Sequence, residues 1–135
     1  MAIEWKEDLA VGVKEIDEQH KELFVKVNSL FDACNTGKGK EQIDPIIKYL
    51  QEYVVDHFGC EEALQKKYSY PGYEEHKGQH DKFIQDFLKL KEGIDKNGVT
   101  GLTIVQLNQT LVDWLIKHIR KTDKALAAFL KEKGV

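Results

Sequence analysis

Each of the five histidines in this chain interrupts an apolar stripe of helical period, and this constrains the fold more than any bulk property does. Residues recurring at steps of three and four lie on one face of a helix. In the first such segment His20 heads the stripe Leu23, Phe24, Val27, Leu30, Phe31 and Cys34. The second runs Ile43, Ile46, Ile47, Leu50, Tyr53, Val54, His57, Phe58, Glu61 and Leu64, so His57 and Glu61 take core positions one turn apart. The third gives His76, His80, Phe83, Phe87, Leu90 and Ile94; the fourth gives Ile104, Leu107, Leu111, Trp114, Leu115, His118 and Ile119, with Asp123 beyond. Four helices thus each point polar donors toward a bundle core.

Turn-forming residues separate the stripes. Thr36-Gly37-Lys38-Gly39-Lys40, Tyr70-Pro71-Gly72 and Asn97-Gly98-Val99-Thr100-Gly101 mark three short connections. Short connections make successive helices antiparallel neighbours. The expectation is an all-α, up-down-up-down four-helix bundle over residues 17–132, preceded by an N-terminal arm over 1–16 that ends near an N-cap at Asp17. At 135 residues the chain suits one domain with one core. Counting levels from the helix ends, His20 and His57 each lie about 16 residues from the first connection. Glu61 and His76 flank the second connection, and helix four returns about 16 residues from 102 to His118. All seven polar positions fall in one layer.

Composition removes several function classes. A formal charge of −3, with Lys and Glu mixed along the helices, leaves no basic patch for nucleic acid. No run approaches the roughly 18 apolar residues of a membrane span, and the first residues lack a signal-peptide hydrophobic region. A soluble, cytoplasmic protein without membrane contact is expected. Cys34 belongs near the far end of the bundle, about 20 Å from the layer that holds Cys60, so two free thiols and a reducing compartment are expected.

A single histidine on an apolar face is ordinarily a hydrogen-bonded core residue. Five imidazoles and two carboxylates in one layer are different, because desolvation opposes their charge and each donor needs an acceptor. A cluster of protonated histidines paired with Glu61 and Asp123 is one solution; a bound cation is the other. Seven ligands are too many for one tetrahedral zinc, and no cysteine pair has zinc-finger spacing. Two ions are implied, with iron, manganese and zinc all compatible with the donor types. If both carboxylates and one solvent oxygen bridge the ions, three histidines complete a six-coordinate ion and two leave its neighbour with an open position.

Trp5 through Val11-Gly12, Ile16-Asp17-x-Gln19-His20, His57-Phe58-x-x-Glu61-Glu62, Tyr70-Pro71-x4-His76-x3-His80-x2-Phe83 and Trp114-Leu115-x2-His118-Ile119-x3-Asp123 together resemble the bacterial hemerythrins over nearly the whole chain. The bundle topology is the one that myohemerythrin exemplifies. The resemblance implies two iron ions per chain joined by a bridging oxo or hydroxo group. His76, His80 and His118 would hold one iron and His20 and His57 the other, with Glu61 and Asp123 bridging. It further implies that O2 binds reversibly at the iron of His20 and His57, with azide and similar anions taking that place in the ferric form. No substrate is consumed, so the chain is not expected to be an enzyme. Trp114, one turn before His118, and Ile119 beside it are candidate walls of the O2 pocket.

A di-iron oxidase or iron-storage protein is the rival of another class. Such sites draw on Glu-x-x-His pairs and a carboxylate-rich shell, and no Glu-x-x-His occurs here. Bacterial hemerythrins include free proteins that store or deliver O2 and domains of larger receptors. The closeness of the whole chain favours the C-terminal domain of a methyl-accepting chemotaxis receptor, with O2 sensing as its role and covalent attachment to that receptor.

Overall fold

The computed structural model describes residues 3–37 and 39–134. Met1 and Ala2 of the arm, Lys38 of the first connection and Val135 at the end lie outside the described residues. Helix α1 spans Lys14–Asn35, α2 Lys40–Lys67 and α3 Tyr73–Asn97. A continuous helical rod over 101–132 forms α4. α1 packs on α2, α2 on α3, α3 on α4, and α4 closes the ring against α1. This is the expected antiparallel four-helix bundle.

The stripes read from the sequence form the core. Leu23, Val27 and Leu30 of α1, Ile47, Leu50 and Val54 of α2, Phe83 and Phe87 of α3, and Leu107, Leu111 and Leu115 of α4 are all buried. The connections carry the expected chemistry. Gly98 takes a φ of +69° at the end of α3, a region that glycine enters without steric cost. Thr100 then caps α4, its hydroxyl accepting from the Thr103 N–H while the Thr103 hydroxyl accepts from the Thr100 N–H.

Two expectations need correction. α1 begins at Lys14, not at 17, and its N-cap is Val13. Asp17 lies inside the helix, where its carboxylate turns back and accepts from the N–H groups of Val11 at 2.8 Å and Gly12 at 3.1 Å. It caps the incoming chain rather than the helix. Hydrogen bonds to a carboxylate contribute about 1.5–3 kcal/mol when shielded from water, and less for the exposed one to Gly12.

The arm therefore ends at 13, and it is packed rather than loose. Its Ile3, Leu9, Val11 and Val13 are buried, and the Ile3 backbone exchanges two hydrogen bonds with the Asn28 side-chain amide. A short 3-10 turn, Glu7–Leu9, brings Asp8 against α4. There Arg120 donates to the Asp8 carboxylate at 2.8 Å and Lys124 to its carbonyl at 2.6 Å.

The fourth helix also departs from simple α geometry. Asn108–Asp113 and His118–Asp123 are π-helical, separated by Trp114–Lys117 in α conformation. In an α-helix residues five apart are rotated by about 140°, so His118 and Asp123 would face different directions. The wider π turn brings both to the same side. Single π turns of this kind cost regular hydrogen bonding and recur at functional sites.

Candidate metal centre

All seven predicted polar positions meet in one layer, as the level count requires. His20 comes from α1, His57 and Glu61 from α2 one turn apart, His76 and His80 from α3 one turn apart, and His118 and Asp123 from the π turn of α4. None is more than 4% exposed. Glu61 and Asp123 have no contact with water and must find their charge partners inside.

Each carboxylate has two faces. Glu61 Oε1 lies 3.4 Å from His76 Nε2 and 3.2 Å from His80 Nε2, whereas its Oε2 lies 3.3 Å from His57 Nε2 and 3.6 Å from His20 Nε2. Asp123 repeats the division, with Oδ1 at 3.0 Å from His76 and 3.1 Å from His118, and Oδ2 at 3.1 Å from His20. The histidines thus sort into a group of three and a group of two, with one oxygen of each carboxylate toward each group. Glu61, His76, His80, His118 and Asp123 form one set of convergent ligand atoms, and His20, His57, Glu61 and Asp123 the other; within each set all atoms lie within 4.8 Å of one another.

These approaches are close but do not have the angles of hydrogen bonds. Among the described residues, both oxygens of Glu61, both of Asp123 and both ring nitrogens of His20 are buried without a hydrogen-bond partner. His76 and His118 bring Nε2 to Nε2 at 3.1 Å, and His80 and His118 at 3.2 Å. An unsatisfied buried polar group costs about 1–3 kcal/mol, more when charged. Imidazole nitrogens and carboxylate oxygens that converge on common points outside hydrogen-bond angles fit cations better than a hydrogen-bonded salt-bridge cluster.

The outer faces of the rings reinforce this. His57 donates from Nδ1 to Gln19 Oε1 at 2.7 Å, His80 to Glu62 Oε2 at 2.9 Å and His118 to Gln79 Oε1 at 2.8 Å. A proton fixed on Nδ1 leaves the Nε2 lone pair for the centre and raises its basicity. Aromatic packing holds the same rings, with Phe58 stacked on His80 at 3.8 Å and 2°. Trp114, half-buried, stacks on His118 at 4.4 Å and 11°. Ile119 is buried next to His118. The sequence reading gave no role to Gln19, Glu62, Gln79 or Phe58, although Gln19 and Gln79 each directly precede a site histidine and Glu62 directly follows Glu61.

Electrostatics in the metal-free centre follow from this packing. Burial alone would lower His20 and His76, but their contacts with Asp123 and Glu61 outweigh it and push both up to about 9. For His118 burial prevails and the value falls below its usual one. Burial would raise both carboxylates, yet the surrounding imidazoles hold Glu61 and Asp123 well below the usual carboxylate range. Without cations, the two ionised carboxylates are balanced only by protons held on His20 and His76.

Residues 11–130 match the Hemerythrin HHE cation binding domain. The chain belongs to the hemerythrin family. It is 35% identical over 131 residues to the hemerythrin-like protein of Naegleria gruberi, covering 97% of this chain and 91% of that one. It is 37% identical over 113 residues to the bacteriohemerythrin of Methylococcus capsulatus, covering 80% of each. A crystal structure of wild-type hemerythrin superposes with a TM-score of 0.84 and 30% identity, over 95% of this chain and 97% of the other. The hemerythrin fold and the two-faced carboxylates come from independent observations, and they agree.

Metal loading of the metal-free protein is expected to release protons. His20 and His76, with values near 9, are protonated at neutral pH and must become neutral to ligate. Because these values lie above the ordinary 6.5, the pairing stabilises the metal-free bundle fully below pH 6.5 and is lost as pH rises through about 9. Proton release, read by calorimetry in two buffers of different ionisation enthalpy, should fade over that same rise. Release that stays constant from pH 7 to 10 would contradict this account of the site.

Proposed function

We propose that this chain binds dioxygen reversibly at two iron ions, acting as an O2-binding protein rather than an enzyme. The division of each carboxylate between two histidine groups is the observation that carries the reading. In it His76, His80 and His118 would hold one iron, His20 and His57 the other, and Glu61 and Asp123 would be shared between them. Two iron ions with a bridging oxo or hydroxo group, held by these residues, would supply the reversible electron transfer that O2 binding needs. Five neutral imidazoles against two carboxylates make a shell less anionic than that of ferritin-like oxidases, which favours the ferrous state and reversibility over substrate oxidation. The smaller histidine group leaves room for a small ligand on the side of His20 and His57. Ile119, buried beside His118, and Trp114, stacked on the His118 ring, would wall the O2 pocket and exclude water from it.

The finer reading is O2 sensing within a chemotaxis receptor to which the chain is covalently joined, in the cytoplasm. Asp8 of the arm is held by Arg120, inside the π turn that carries His118 and Asp123, and by Lys124 just after it. A change at the site thus has a short path to the arm. Among the described residues no helix is long and apolar enough to cross a membrane, and Cys34 and Cys60 are free thiols. O2 storage or delivery is the second reading. It is favoured by the Naegleria gruberi relative, 91% of which the matched region covers.

Protein grown with iron should contain two irons per chain and change colour reversibly through cycles of aeration and deaeration, with azide altering the oxidised spectrum. One zinc and no iron, or continuous O2 consumption with a released product, would overturn the reading. Glu61→Ala leaves the remaining cations under-compensated and should lower iron content rather than O2 affinity alone; full iron in that variant would refute its spanning role. Ile119→Ala should admit water and speed autoxidation, alongside a stability loss of about 2–5 kcal/mol on thermal unfolding. The same loss with unchanged autoxidation would reduce Ile119 to packing. For the sensing role, amide exchange over residues 3–13 should differ between reduced and oxidised protein more than in α2 and α3; an arm alike in both states would favour storage or delivery.

A further inference from the structure

One polar chain runs from the surface to a site histidine. Glu15 and Gln19 lie one turn apart on α1, facing Cys60 on α2. Glu15 Oε1 stands 3.5 Å from Cys60 Sγ, Cys60 Sγ stands 3.6 Å from Gln19 Nε2, and Gln19 Oε1 stands 2.7 Å from His57 Nδ1. Distances near 3.5 Å suit hydrogen bonds to sulfur, whose radius exceeds that of oxygen. The Tyr53 hydroxyl donates to the Gln19 carbonyl at 3.1 Å and steadies the backbone beneath the amide.

A glutamine amide can meet an imidazole with either end, and the two choices have opposite consequences. With Oε1 toward the ring, His57 keeps its proton on Nδ1 and directs its Nε2 lone pair toward Glu61, 3.3 Å away. With Nε2 toward the ring, Nδ1 must accept, the proton moves to Nε2, and the lone pair is lost to the centre. Gln19 alone does not decide between them. At the corresponding position beside His118 the Gln79 oxygen is also engaged by the Thr122 hydroxyl, at 2.9 Å, and His80 faces the carboxylate of Glu62.

We propose that Cys60 is a positioning residue for His57, acting through Gln19 with its direction set by Glu15. A carboxylate only accepts, so the Cys60 S–H donates to Glu15. The sulfur lone pair then accepts from Gln19 Nε2, which leaves Oε1 for His57. Every bond in the relay points the same way, and an exposed carboxylate on α1 fixes the tautomer of a buried imidazole on α2.

The proposal rests on the metal-centre reading and is tested on the zinc-loaded full chain with histidine labelled in 15N. Cys60→Ala should speed solvent exchange of the His57 Nδ1–H severalfold and weaken zinc binding by about 10-fold, the low end for loss of an outer partner of a ligand. Gln19→Ala removes that partner itself and should weaken zinc binding by about 10–100-fold. Cys60→Ser, which keeps one donor and an acceptor, should restore slow exchange. The Nδ1–H signals of His80 and His118 should stay unchanged throughout. Wild-type exchange at His57 in Cys60→Ala, or Cys60→Ser behaving like Cys60→Ala, would overturn the relay while leaving the metal centre intact. Zinc failing to shift any of the five histidines would overturn the metal centre and the relay with it.

Discussion

Two carboxylates withdrawn from water govern this structure. Glu61 and Asp123 sit at the centre of the bundle with no solvent contact, and a buried, uncompensated carboxylate costs several kcal/mol. Five imidazoles surround them, but neutral imidazoles do not balance negative charge. Protonated imidazoles would, and the values near 9 for His20 and His76 show the metal-free centre moving that way. That solution still leaves lone pairs opposed across N···N contacts of 3.1 and 3.2 Å. Cations bring every group into use at once, and so the fold and the cation requirement are one problem.

The helices solve it by spacing. On α2 and α3 the paired donors stand four residues apart, which an α-helix aligns naturally. On α4 they stand five apart, and the helix widens into a π turn over His118–Asp123 to align them. The regular helix resumes at Lys124. The π turn supplies the centre with its second carboxylate, and the outer partners Gln19, Glu62 and Gln79 hold the rings so that the lone pairs point inward.

Much of this was legible in the sequence, because burial and period are. A histidine within an apolar stripe reads as an inward donor, and three short connections place the four stripes side by side, so the bundle and the layer of seven residues could be derived before any coordinates. The π turn was not legible, although the five-residue step from His118 to Asp123 was its signal. Asp17 was misread for a related reason. An acidic residue near a helix start ordinarily caps that helix, and nothing local shows that the chain before it folds back to be capped instead. Gln19 and Gln79 lie beside site residues, but their roles depend on which residue of a neighbouring helix they meet. Period tells which way a side chain points; partner choice across helices comes only from the packed structure.

The same packing joins the arm to the centre. The apolar residues of 3–13 do not follow a helical period, and the segment is ordered by what it touches: Asn28 and Asp17 on α1, Arg120 and Lys124 on α4. The contacts on α4 lie within and just after the π turn that delivers Asp123. A π turn departs from the regular i to i−4 ladder, and this one carries both Asp123, turned into the centre, and the exposed Arg120. Arg120 lies inside that turn, and its carboxylate partner is Asp8 of the arm. The geometry that lets α4 supply a second carboxylate therefore also places the π turn between the centre and the arm.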